Sequence, residues 1–229
     1  MGGLNVKNTM LDRVLAVVAP HPCLGCDKLG TPLCTYCKYN ITSRSFSRCI
    51  VCNQPSLVGV CIEHNKTYQN AWIVGSRRGV LQLLIGNLKF QNMKEAAGSL
   101  AQLLDARLPQ FSNDTILVPI PTAPAHIRER GYDHALLIAR YLAGLRQLPL
   151  ERVLARRDTK TQHHANRADR ITQARSAFRL DKPVDPAKRY VIIDDVYTTG
   201  ATIDAASQFL KAAGARFIGV AILARQPLD

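Results

Sequence analysis

Seven cysteines and one histidine stand in close pairs near the start of the chain. They run Cys23-x2-Cys26, Cys34-x2-Cys37, Cys49-x2-Cys52 and Cys61-x2-His64, and no cysteine occurs elsewhere. A two-residue gap lets both side chains of a pair turn onto one ion, and four soft ligands in a tetrahedron suit zinc. His64 takes the last place, which accounts for the odd number of cysteines. The expectation is two closed, structural zinc sites that hold the fold and do not catalyse. Sequential pairing closes shorter loops than interleaved pairing and is the one expected. A segment this short cannot rest on an apolar core alone, whereas structural zinc supplies roughly 10–16 kcal/mol.

A second cluster of chemistry lies at Val191-Ile192-Ile193-Asp194-Asp195-Val196-Tyr197-Thr198-Thr199-Gly200-Ala201-Thr202. An apolar strand ends in two acids, and a turn rich in Thr and Gly then opens a helix. Backbone amides at a helix start, with the positive end of the helix dipole, form an anion site. The hydroxyls of Thr198, Thr199 and Thr202 add donors, and Gly200 lets the backbone approach a phosphate closely. Ionised carboxylates only accept hydrogen bonds, so Asp194 and Asp195 suit a vicinal ribose diol. The carboxyl end of a strand is also where open α/β sheets bind ligands. The chain contains no Gly-x4-Gly-Lys-Ser/Thr, which argues against a P-loop nucleotidase.

These groups need a scaffold, and three zones provide it. Residues 1 to 22 read as a lead-in helix stopped at Pro20-His21-Pro22, and residues 23 to 66 as a loop-like, Cys-rich module. From residue 71 to 229 strand and helix patterns alternate, which predicts a parallel sheet. Strands are expected at Ala71 to Gly75, Thr115 to Ile120, Val153 to Arg156 and Tyr190 to Asp194. Phe217 to Leu223 is expected to close the sheet. Helical spacing marks Val80 to Phe90, Met93 to Leu108, Tyr132 to Arg146 and Ala201 to Ala213. Trp72 is expected in packing.

With 47% hydrophobic residues the chain can bury a core. The apolar run Met10 to Ala19 falls short of the roughly 20 residues a membrane span needs. With no secretory leader in view, a reducing cytoplasm with metal-bound thiols is expected. Formal net charge is +13; two zinc ions on seven thiolates would bring it to about +10. Such a surplus suits a polyanionic ligand, either a phosphorylated sugar or a nucleic acid. Between Cys23 and Cys52, Lys28, Lys38, Arg44 and Arg48 face only Asp27, a weak pointer to nucleic acid.

The acidic turn resembles the type I phosphoribosyltransferases, whose fingerprint is four apolar residues, two acids, two apolar residues, Thr, any residue, Gly and Thr. Tyr197 and the Ala201 before Thr202 are the local departures. Almost the whole chain, from Cys23 to Arg225, resembles the ComF family of competence proteins and its GntX-like relatives, in which a double zinc ribbon precedes a phosphoribosyltransferase domain. The resemblance rests further on Leu88-Lys89-Phe90, Val118-Pro119-Ile120-Pro121, Arg128-Glu129-Arg130-Gly131-Tyr132, Arg157-Asp158-Thr159, Gln162, Arg170 and Ala177-Phe178. Asp133-His134 stands where the family usually has Asn-Gln, and Gln173 where it has Asn.

What the resemblance implies is a Mg²⁺-assisted site for 5-phosphoribosyl-1-pyrophosphate (PRPP), with Asp194 and Asp195 as the catalytic acids. Around them would stand Val196, Thr198, Thr199, Gly200, Ala201 and Thr202, joined by Thr122 and Ala123 of a pyrophosphate loop and by Lys89 and Arg128. The basic stretch 151 to 175 would be the loop that covers the ligand, with His163 and His164 as surface residues. Single-stranded DNA and other DNA-processing proteins are the implied partners. Transfer of phosphoribose to a small-molecule acceptor is the alternative activity.

Overall fold

Beyond residue 70 the alternating patterns resolve into a four-stranded, all-parallel sheet. The computed structural model describes residues 21–43, 47–156 and 178–227. The lead-in helix up to Pro20, Arg44, and the stretch from Arg157 to Ala177 with His163 and His164 lie outside them. The strands are β1 (Asn70–Ser76), β2 (Thr115–Pro119), β5 (Arg189–Tyr197) and β6 (Phe217–Arg225), in the order β1-β6-β5-β2. The last strand therefore does not close the sheet. It lies inside, with Ile73 opposite Ile222 on one side and Ile193 opposite Ala221 on the other. Burial along nearly all of Phe217–Arg225 follows from that central place, as in parallel sheets covered on both faces.

Each face of the sheet carries its own core. On the first face lie α2 (Gly79–Phe90), α3 (Ala96–Asp105) and α5 (His134–Arg146). Helix α2 presents Leu81, Leu84, Ile85 and Leu88 to the sheet, a stripe at i, i+3, i+4 and i+7. Asp133 caps α5 by accepting from the Leu136 amide, the local bond that starts a helix there. On the second face lie α6 (Ala201–Ala212) and a short antiparallel ribbon of β3 (Leu154–Arg156) and β4 (Phe178–Leu180). Alternation along β5 feeds both cores, with Val191 and Ile193 in the first and Tyr190 and Ile192 in the second. Trp72 packs edge-on against Phe111, ring centroids 5.3 Å apart.

The Cys-rich segment is less loop-like than expected, because it contains α1 (Thr35–Thr42), capped by the Cys34 side chain. A further short helix, α4 (Pro124–Arg130), follows β2. The segment also wraps the β1 edge and joins both cores. Cys23, Leu33 and Cys37 pack into the first, and Ile50, with Val51 and Val60 against it, into the second. The Ala71 amide of β1 donates to Val58 O at 2.8 Å, so this loop satisfies part of an otherwise open strand edge. Gly59 makes that approach possible. Its φ is +76°, and a Cβ there would lie 1.8 Å from Ala71 O, which no L side chain tolerates.

Candidate functional site

The eight metal-ligand candidates fall into two sequential groups. The ligand atoms of Cys23, Cys26, Cys34 and Cys37, and those of Cys49, Cys52, Cys61 and His64, all lie within 4.8 Å of one another in each group. Cys26 Sγ and Cys34 Sγ are 3.6 Å apart, and Cys52 Sγ and Cys61 Sγ 3.7 Å. Sulfurs bound about 2.3 Å from one ion at tetrahedral angles lie roughly 3.8 Å apart, so the spacing fits zinc and excludes a disulfide. His64 turns Nδ1 toward Cys61 Sγ at 3.0 Å. Both groups can hold a zinc ion as they stand.

The acidic turn sits at the carboxyl end of β5. Thr198 and Thr199 are exposed, and Gly200 takes φ +80° immediately before α6. No side chain of Gly200 can cap the helix, and the Ala201 amide donates only a 3.4 Å bond to Thr199 Oγ1. Such a turn leaves amides of the first helical turn directed outward. Beneath it, the ring of Tyr197 fills the space a Cβ of Gly200 would need. Burial pushes the Tyr197 hydroxyl up to about 12, and the nearby Asp204 carboxylate adds to the effect.

The two neighbouring acids differ in surroundings. Asp195 is buried on the first face, ion-paired with Lys89 of α2 and 3.6 Å from His134 Nε2 of α5. Burial alone would raise its pKa, but the His134 hydrogen bond and the Lys89 ammonium outweigh this and hold it below the usual carboxylate range. Asp194 lies near Arg156 and close enough to Asp195 for the two carboxyl groups to interact. Burial, and then the charge of Asp195, raise its pKa well above the usual carboxylate value.

The loop after β2 joins the same network. Thr122 Oγ1 donates to Asp133 Oδ1 at 2.8 Å and lies 3.4 Å from His134 Nδ1. Arg130 Nη1, which can only donate, is 3.2 Å from that nitrogen. Nδ1 is therefore the acceptor, and Nε2 carries the proton that faces Asp195. Ala123 is the N-cap residue before α4, while Arg128 is exposed near its far end. Lys89, Thr122, Asp194 and Asp195 are thus brought together, and Arg128 stands apart from them.

Two residues of the site escaped sequence reasoning. Arg156 stands beside Asp194, bonds Pro121 O through Nε at 3.1 Å, and lies over the Phe178 ring. Its signal was only a basic residue at the end of a short strand. His134 did have a signal, since Asp133-His134 replaces the family's Asn-Gln at the point where the network closes.

Comparison with known proteins agrees with this geometry. Residues 127–229 match the phosphoribosyl transferase domain model. Competence protein F of Haemophilus influenzae is 31% identical over 208 residues, covering 84% of this chain and 90% of that protein. DNA utilization protein YhgH of Salmonella typhimurium is 30% identical over 209 residues, again 84% and 90%. Competence protein ComFC of Streptococcus pneumoniae is 26% identical over 209 residues, covering 89% of this chain and 87% of that one.

Proposed function

The chain belongs to the ComF family of competence proteins, and from that premise we propose that it binds PRPP, or a close sugar phosphate, at the Asp194–Thr202 turn and takes part in handling single-stranded DNA during natural transformation. The observation that carries the first half is the junction of β5 and α6. A left-handed Gly200 and exposed Thr198 and Thr199 precede a helix start without a strong side-chain cap. Outward amides there suit a phosphate. Asp194, half-buried, is the acid placed to reach a pentose hydroxyl, and Arg156 and Lys89 bring positive charge to the flanks. Magnesium bound with pyrophosphate would neutralise much of the ligand's charge. Zinc in the two cysteine groups belongs to the same proposal, as a structural element.

Calorimetric titration with PRPP and Mg²⁺ tests the first half. Wild type should give saturable heat, and Gly200→Ala should weaken binding at least about tenfold, because a Cβ at this φ distorts the turn. No heat from wild type sinks the reading. The DNA half is supported by the +13 charge and by relatives named for competence and DNA utilization. Affinity for single-stranded DNA should fall steeply with salt as phosphate contacts are screened; salt-independent affinity, or none, removes it.

A Mg²⁺-dependent transferase acting on a small-molecule acceptor is the second reading, favoured by the intact acid pair and turn. Such catalysis rests on positioning and charge neutralisation rather than a nucleophilic side chain. Pyrophosphate release across a panel of nucleobases and amines distinguishes it.

A further inference from the structure

The second cysteine group and the phosphate turn share a set of buried contacts. Arg225, the last residue of β6 and 5% exposed, donates through Nε to Ile50 O at 2.6 Å and through an Nη to Val51 O at 2.7 Å. Those carbonyls lie inside the Cys49-x2-Cys52 loop. In the sheet register Arg225 stands opposite Tyr197, and the Gln226 amide bonds Tyr197 O at 2.8 Å. Two residues after His64, Lys66 Nζ pairs with Asp204 Oδ2 of α6 at 2.6 Å. Tyr68, 2% exposed, packs in the same core as Tyr197, whose ring lies under Gly200. The cysteine loop, Arg225 and Tyr197, and finally the turn are therefore stacked in one continuous column.

We propose that Tyr197 is a positioning residue which transmits the shape of the Cys49/Cys52/Cys61/His64 centre to the phosphate turn, so that metal in this centre sets the affinity of the turn for its sugar phosphate. The proposal rests on the phosphate-site reading above. It also accounts for Tyr197 itself, which stands at a fingerprint position otherwise filled by an apolar residue. A smaller side chain would leave Gly200 unsupported from below. An unformed metal centre would release the two carbonyls that fix Arg225, and with them the strand segment opposite Tyr197.

Amide hydrogen exchange on the full, zinc-loaded chain tests this without any ligand. The variants are Cys61→Ser, which removes one ligand of the centre, and Tyr197→Leu, which keeps all eight ligands. In both, the amides of residues 198–202 should exchange about tenfold faster than in wild type, while those of β2 and α5 keep their protection. PRPP affinity, measured with Mg²⁺, should fall by about the same factor. Exchange of the turn within about twofold of wild type in Tyr197→Leu overturns the proposal. If Cys61→Ser loses protection in β2 and α5 as well, it has unfolded, and Tyr197→Leu alone decides. If wild type binds no PRPP, the functional reading fails, and the exchange data still judge the coupling.

Discussion

The two faces of the sheet use the same cysteine chemistry to different ends. On the first face the Cys23 to Cys37 group presses buried sulfurs into a core of α2 and α3, far along the chain from the acidic turn. Its polar ties to that layer include Lys38 Nζ to Gln102 Oε1 at 2.6 Å and Arg107 Nη2 to Ile41 O at 3.2 Å, the same guanidinium reaching Val74 O of β1 at 3.4 Å. On the second face the Cys49 to His64 group is tied by a buried guanidinium and an ion pair to the strand and helix that flank the turn. Similar ligand sets can thus differ in consequence, because what matters is the element each one buttresses.

The largest test of this contrast is to strip both centres with a strong chelator at neutral pH. Structural zinc contributes up to about 10–16 kcal/mol, so the melting temperature should fall by more than about 10 °C. An unmoved melting curve would deny both centres a structural role. Next come the acids. Asp195→Asn removes the charged partner of half-buried Lys89 and of buried His134 and should cost about 3–5 kcal/mol in denaturant unfolding.

Arg225→Met should cost about 2–4 kcal/mol, since two buried carbonyls lose their donor. The matching change on the first face, Arg107→Met, removes longer bonds to Ile41 O at 3.2 Å and Val74 O at 3.4 Å, and should cost about 1–2 kcal/mol. Equal losses would erase the asymmetry between the faces.

Asp194→Asn has the opposite sign. The folded-state pKa of Asp194 is raised, so its favourable contribution is complete below the ordinary carboxylate value and is lost as pH rises toward the folded one. The variant should gain on the order of 1 kcal/mol at pH 7, and the gain should vanish near pH 3. Asp195, with its pKa lowered, contributes above the ordinary value and loses that contribution in acid. Stability measured across pH should therefore show the two variants diverging as pH rises. The smallest effect is Lys66→Met, below about 1 kcal/mol for a partly exposed pair.

Much of this was legible in the chain. Cysteine spacing marked both ligand groups, and the apolar run before Asp194 marked the strand that carries the turn. Helix spacing located α2 to within one residue at its start. It overran α3, which begins at Ala96 rather than Met93 and ends at Asp105, because apolar residues continue past the hydrogen-bonded turns. The strand at Tyr190 extends to Tyr197 since β6 pairs with it that far, and pairing is invisible in local sequence. For the same reason strand order, the partners of Asp195 and the role of Arg156 could not be read. Helix α1 was hidden by a composition dominated by ligands, with only one residue, Cys37, buried.

The inner place of β6 bears on how the protein is made. As the ribosome extends the chain, β1 and β5 both emerge before the strand that lies between them. Each then exposes an unpaired side until Phe217–Arg225 follows, and the carbonyls of Ile50 and Val51 wait for Arg225. Late, non-local closure of this kind slows folding and exposes sticky intermediates. A nascent chain halted before Phe217 would be a natural client for chaperones, even with every ligand of both cysteine groups already synthesised.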